Sequence, residues 1–95
     1  MDANKVRTVI TIYRTKFIEM SIGKIDYPHN EFLPQKNLRK NALEHCHRML
    51  DQMETFVSDG RMNKAFRWLG FVQGVLWVLR IYKLEDLKNH NRPAE

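Results

Sequence analysis

The chain has 95 residues, of which 43% are hydrophobic and 28% are charged, and its formal net charge at pH 7 is +5. This size and composition predict one globular domain over residues 1–95, exclude a disordered chain, and leave room for one modest core but not for a deep catalytic cleft as well. A single cysteine, Cys46, excludes an intramolecular disulfide, and the first residues lack the pattern of a secretory signal peptide, so we expect a cytoplasmic protein.

The positive charges are spread along the chain, without a block of five or more like charges. A net positive charge favours anionic partners such as nucleic acids, nucleotides or acidic proteins. A protein that binds a nucleic-acid duplex usually concentrates its charge more than this. A surface charged only for solubility explains the same composition.

The first predicted element is a helix from Ala3 to Ile22, which Gly23 ends. Apolar residues recur along it every three or four positions and form one stripe, whereas Arg14 lies off that stripe. The next segment, residues 24–35, contains two prolines and is expected to be an ordered loop that either closes over a site or only connects two helices. The stripe consists of Val6, Val9, Ile10, Tyr13, Phe17 and Met20.

A second helix is predicted from Gln35 to Ser58, and Asp59-Gly60 ends it. A third helix is predicted from Arg61 to Tyr82, and the short connection makes these two helices an antiparallel hairpin. One or two helical turns are expected from Leu84 until Pro93 stops them. The predicted fold is all-α, a three-helix bundle with a short fourth helix at the C-terminal end.

The third helix contains the most apolar run of the chain, RWLGFVQGVLW at residues 67–77. The run is too short for a membrane span, which needs about 20 predominantly apolar residues. A helix that is apolar on almost all sides is normally buried on all sides, and two other long helices cannot cover it completely. We therefore predict a homo-oligomer. The predicted interface consists of Gly70, Phe71, Gln73, Gly74 and Trp77.

The two glycines of this run have the spacing G-x-x-x-G, which lets a second backbone approach closely. Alternatively, Gly70 and Gly74 only leave room for the bulky Trp68 and Trp77. Gln73 lies in apolar surroundings and needs a hydrogen-bond partner, which we expect across the interface.

No motif in the sequence indicates catalysis or metal binding. His45-Cys46-His47 lies on the second helix, where residues two positions apart point about 200° away from each other and cannot chelate one ion. Cys46 falls on the apolar stripe and is expected to be a core residue. The sequence contains no nucleophile elbow, phosphate-binding loop or dinucleotide fingerprint, so we predict no enzyme, no metal and no cofactor. The acidic residues of the second helix are expected to form a solvated face: Glu44, Asp51 and Glu54.

The strongest candidate for a binding site combines basic and aromatic residues. Arg67 and Trp68 are adjacent near the start of the third helix, and Tyr13 and Arg14 are adjacent on the first. Guanidinium groups beside aromatic rings suit phosphate pairing and base stacking, although such clusters also occur as plain solvated surface. We predict these four residues as ligand contacts.

The strings GRMNKAFRWLGFVQGVLW and LEDLKNHNRP resemble small accessory proteins of tailed bacteriophages, and the resemblance covers roughly residues 43–93. A compact, basic, helical protein of this size is also similar to phage counter-defence proteins, which include oligomeric sponges for cyclic nucleotides and blockers of host proteins. Together with the predicted homo-oligomer and the basic and aromatic residues, this similarity leads us to expect a non-enzymatic counter-defence protein that sequesters an anionic nucleotide-type ligand at a subunit interface in an infected bacterium. Two alternatives stay open: a host-protein inhibitor that binds through Trp68, Phe71 and Trp77, and a weak nucleic-acid-binding protein.

Overall fold

The computed structural model describes residues 1–93, which form four α-helices and no strand. Helix α2 packs against both α3 and α1, and the short α4 packs against α1. The predicted all-α fold, with a hairpin of the second and third helices and a short fourth helix, is therefore confirmed. The helices are α1 (Ala3–Glu19), α2 (Leu38–Ser58), α3 (Met62–Val78) and α4 (Leu84–Asn91).

The core lies where the apolar faces of α1, α2 and α3 meet. Five of the six residues in the predicted stripe of α1 are fully buried, because their spacing places them on one side of the helix. Cys46 is also buried, and burial raises the pKa of its thiol to about 12, so it stays protonated and acts as a small apolar core residue. The largest fully buried side chains are Tyr13, Phe17, Ile10, Leu43, Leu50, Met53 and Leu76.

The first three helices end in the same backbone motif. The second residue after each helix has a positive φ: 59° at Ser21, 75° at Gly60 and 65° at Arg80. The next backbone N–H donates to the carbonyl five residues earlier, at 2.8 Å in all three cases, which satisfies a carbonyl that the helix leaves free. The ends predicted for the first and third helices, at Ile22 and Tyr82, therefore lie about one turn beyond the observed ends at Glu19 and Val78.

Two further boundaries differ from the prediction. Gly23 lies beyond the turn that ends α1, so a serine and not the glycine takes the left-handed conformation. Asn37 also has a positive φ, of 60°, and α2 begins after it at Leu38 instead of at Gln35. Asparagine tolerates this conformation better than most residues because its short side chain bonds locally.

A network of polar side chains joins α1, α3 and α4. Nε2 of Gln73 donates to the Tyr13 hydroxyl at 2.9 Å and to Oδ1 of Asn91 at 2.7 Å, and Asn91 returns a bond of 3.1 Å to Oε1 of Gln73. The Tyr13 hydroxyl also meets Nδ1 of His90 at 3.0 Å. Burial raises the pKa of Tyr13 to about 12 and lowers the pKa of His90 below its ordinary value. The partner that we expected for Gln73 across an interface is therefore found inside the chain.

One side of α3 is not covered by the rest of residues 1–93. The sequence predicted this, because the helix is apolar on almost all sides and two other long helices cannot cover it completely. Phe71 is 56% exposed and Trp77 is 49% exposed. A Cβ atom added at Gly70 or Gly74 would meet no atom within 4 Å, so these glycines do not make room for the tryptophans and that alternative was wrong. No helix of the described residues is long and apolar enough to cross a bilayer.

Candidate functional site

An open cavity of about 500 Å³ lies between α2, α3 and the loop of residues 24–37. Its walls are mainly aromatic and aliphatic, with a few ionisable groups among them, which is the usual composition of a small-molecule site. The loop contributes Tyr27, Pro28, His29, Glu31 and Leu33, α2 contributes His45 and Met49, and α3 contributes Arg67, Trp68 and Phe71.

The loop is bonded to α2 near both of its ends. The backbone N–H of Tyr27 donates to Nδ1 of His45 at 3.2 Å. Nδ2 of Asn41 donates to the carbonyl oxygens of Pro34 and Lys36, at 3.1 and 2.9 Å. Because these bonds satisfy loop backbone groups from a rigid helix, the loop forms a fixed wall of the cavity and does not only connect two helices.

Arg67 and Trp68 present a positive charge and an indole ring at this cavity. Arg67 is exposed and forms no salt bridge with any carboxylate of residues 1–93. Trp68 is held in place because its ring packs edge-to-face on Phe56, with the ring centroids 4.8 Å apart. The Nζ atom of Lys64 lies 5.8 Å from the centre of the same indole. The guanidinium group is therefore available for an anion beside a positioned aromatic surface.

Two imidazole rings extend this surface toward the loop. The ring of His29 stands edge-to-face against the rings of Trp68 and His45, at centroid distances of 6.4 and 6.1 Å. Burial lowers the pKa of His45, so its ring is neutral at pH 7. Glu31 supplies a carboxylate in the same cavity. These groups offer ring stacking, one permanent positive charge, one carboxylate and two imidazoles.

The other two predicted ligand contacts do not line this cavity. Tyr13 is fully buried in the polar network, so its ring is not accessible to a ligand within one chain. The guanidinium group of Arg14 lies 2.9 Å from both Asp51 and Glu54. The hydrogen bond to Glu54 has the largest effect and raises the pKa of Arg14. The bond to Asp51 raises this pKa further, while burial lowers it. Arg14 therefore joins α1 to α2.

The acidic residues of α2 do not form the solvated face that we expected. Asp51 also binds Nζ of Lys24 at 3.0 Å, and Glu44 is 8% exposed. Burial alone would raise the pKa of Asp51, but the hydrogen bonds from Lys24 and Arg14 lower it. The prediction was wrong because spacing on one helix does not show which basic residues a neighbouring helix or loop brings close.

The sequence pattern also missed the loop residues of the cavity and the role of His45. His45 and His47 do diverge, as predicted: Nδ1 of His47 meets the carbonyl oxygen of Ile22 at 2.9 Å inside the protein, while His45 faces the loop. The ring of His45 instead meets His29, which lies far from it in the sequence. The sequence feature that could have indicated this cavity is the segment between Pro28 and Pro34, which contains aromatic and ionisable residues.

Comparison of the chain with protein-family models, with curated proteins and with solved structures finds no match. The candidate site is therefore defined by its geometry alone: a basic and aromatic cavity on an all-α bundle, beside an apolar face of α3 that residues 1–93 leave uncovered.

Proposed function

We propose that this chain is a non-catalytic binding protein that captures an anionic nucleotide-type ligand in the cavity beside Arg67 and Trp68. The observation that carries the proposal is a guanidinium group that pairs with no carboxylate of residues 1–93 and lies next to a positioned indole in a cavity of about 500 Å³. Arginine pairs with phosphate oxygens in a bidentate geometry, and an indole stacks on the face of any base.

The remaining polar groups favour a nucleotide over a simple inorganic anion. Glu31 would repel a bare anion, but its carboxylate accepts hydrogen bonds from the amino group of a base. The apolar walls, among them Leu33 and Met49, suit the faces of a base and not a fully hydrated ion. A ligand with a charged end and an aromatic end satisfies both parts of the cavity.

Self-association through the uncovered face of α3 forms part of this proposal. Phe71 belongs to that face and also lines the cavity, so a second copy packed on the face would narrow the opening of the cavity. In this arrangement the ligand lies at a subunit interface. The resemblance to phage proteins supports a counter-defence role in the cytoplasm of an infected bacterium, in which the protein sequesters a nucleotide signal.

The test is a thermal-shift measurement on the full chain with a panel of mononucleotides and cyclic dinucleotides. A ligand at one hundred times its Kd stabilises the folded state by about 2.7 kcal/mol, so a true ligand raises the melting temperature clearly. Arg67→Ala should abolish the shift. Arg61→Ala, which removes the same charge from the start of α3 but outside the cavity, should leave it intact. No shift with any nucleotide, or equal shifts in both variants, would refute the proposal.

A second candidate function is inhibition of a host protein. The observation that favours it is the exposure of Phe71, Trp77 and Val78 on one helix, because large exposed apolar side chains are frequent anchors of protein interfaces. This function predicts a partner whose binding is lost in Trp77→Ala and retained in Arg67→Ala. The nucleotide proposal predicts instead that Arg67→Ala abolishes ligand binding.

A further inference from the structure

We propose that Asp26, His29 and His45 form a binding site for a divalent transition-metal ion of the zinc class. Each of these residues offers one ligand atom, and the three atoms lie within 4.8 Å of one another. Two residues come from the loop and the third from α2, so the site exists only because the loop folds back on that helix, where the backbone N–H of Ile25 donates to the carbonyl oxygen of Glu44 at 3.2 Å. The proposal departs from our expectation that the chain binds no metal, because the sequence pattern does not show that the loop brings His29 to His45.

The chemistry of the ligand atoms selects the type of ion. Imidazole nitrogens suit zinc, nickel, cobalt and copper, whereas magnesium and calcium prefer sites made of oxygen atoms alone. Two histidines and one carboxylate are a ligand set that zinc accepts, with its fourth position left open. A chain with one buried cysteine offers no thiolate to compete for the ion.

The distances fit an ion after small movements of exposed side chains. Nδ1 of His45 lies 4.0 Å from Oδ1 of Asp26, and the three ligand atoms lie within 4.8 Å of one another. The ligand atoms of a tetrahedral zinc ion are about 3.3 Å apart, so these atoms must move closer by up to roughly 1.5 Å. Asp26 and His29 are exposed, so their side chains have room to move toward His45, which lies on α2.

The ion would replace one existing contact. Nδ1 of His45 now accepts a bond of 3.2 Å from the backbone N–H of Tyr27, which shows that this nitrogen is unprotonated and directs its lone pair toward the loop. A metal ion takes the same lone pair. His29 and His45 also line the cavity, so an ion held by them would lie at its wall.

Calorimetric titration of Zn²⁺ into the full chain, after removal of bound metal with a chelator, tests the proposal directly. We expect one equivalent of Zn²⁺ to bind, and Mg²⁺ not to compete. His29→Ala and Asp26→Asn should each weaken binding roughly tenfold or more, since even indirect partners of a metal ligand change affinity by about 10–100-fold. Asp59→Asn is the matched control, because it removes an exposed carboxylate at the far end of α2, outside the cluster and the cavity, and it should change affinity by less than about threefold.

The imidazole ¹H–¹⁵N spectrum identifies the ligands independently. Addition of Zn²⁺ should shift the ring nitrogens of His29 and His45 and leave those of His47 and His90 in place. The proposal is overturned if no stoichiometric binding occurs, if both variants bind like the parent, or if only His47 or His90 responds. No nucleotide enters these measurements, so their failure leaves the proposed nucleotide binding untouched, and the reverse also holds.

Discussion

The hydroxyl group of Tyr13 joins three helices, and Tyr13→Phe removes only that group. The hydroxyl meets Nε2 of Gln73 at 2.9 Å and Nδ1 of His90 at 3.0 Å, and the side chain is fully buried. The variant therefore leaves two partly buried polar atoms each short of a partner, which costs about 1–3 kcal/mol. For a domain of this size, each kcal/mol corresponds to a fall in melting temperature of roughly 4–8 °C.

Urea denaturation followed by circular dichroism measures this loss as a change in the free energy of unfolding. Tyr82→Phe is the matched control, because the Tyr82 hydroxyl forms no hydrogen bond within residues 1–93 and its ring packs beside that of Tyr13. The control should change stability by less than about 0.5 kcal/mol. If Tyr13→Phe is as stable as the parent, or if it loses nucleotide binding without losing stability, the structural role of Tyr13 is refuted.

Three further predictions concern charge, pH and the uncovered face of α3. Burial holds the pKa of His90 below its ordinary value of 6.5, so this side chain takes up a proton at a higher pH in the unfolded chain than in the folded one. The free energy of unfolding should therefore fall as pH drops from about 7 to 5. Replacing His90 with Gln should remove the contribution of His90 to this pH dependence and leave that of His45, whose pKa burial also lowers. Asp51→Asn breaks partly exposed ion pairs and should cost about 1 kcal/mol or less, with the difference from the parent shrinking in high salt. Gly74→Ala should raise the melting temperature of the dilute protein, since alanine favours a helix by up to about 1 kcal/mol, yet weaken self-association in sedimentation velocity. A variant that associates like the parent would contradict close packing at this glycine.

The helices were predictable because apolar spacing reports which side of a helix is buried. The stripe of α1 contained Tyr13 as one of its core positions, and the structure buries it there. The helix ends were less predictable, because a left-handed residue that is not glycine carries little signal in its type. At Ser21 and Arg80 the left-handed conformation lets the next backbone N–H donate to the carbonyl five residues before it. Whether this hydrogen bond forms depends on the surrounding packing.

Half of the predicted binding residues lie at the candidate site. Arg67 and Trp68 line the cavity, because a residue pair on the open side of one helix stays together in any packing. Arg14 pairs with carboxylates of α2, which no pattern within α1 could show. His29 and His45 meet only because the loop folds back on α2, and loop paths have no periodicity from which to predict them.

The chain contains two tryptophans, one at the cavity and one on the uncovered face, so their indole N–H resonances report on the two surfaces separately. The most direct test of the proposed site is a ¹H–¹⁵N spectrum of the full chain, recorded during titration with the nucleotide that gives the largest thermal shift. We predict that the Trp68 resonance shifts to saturation in the parent and stays unmoved in Arg67→Ala. A spectrum in which Trp68 does not respond, or in which Trp77 alone responds, would contradict it.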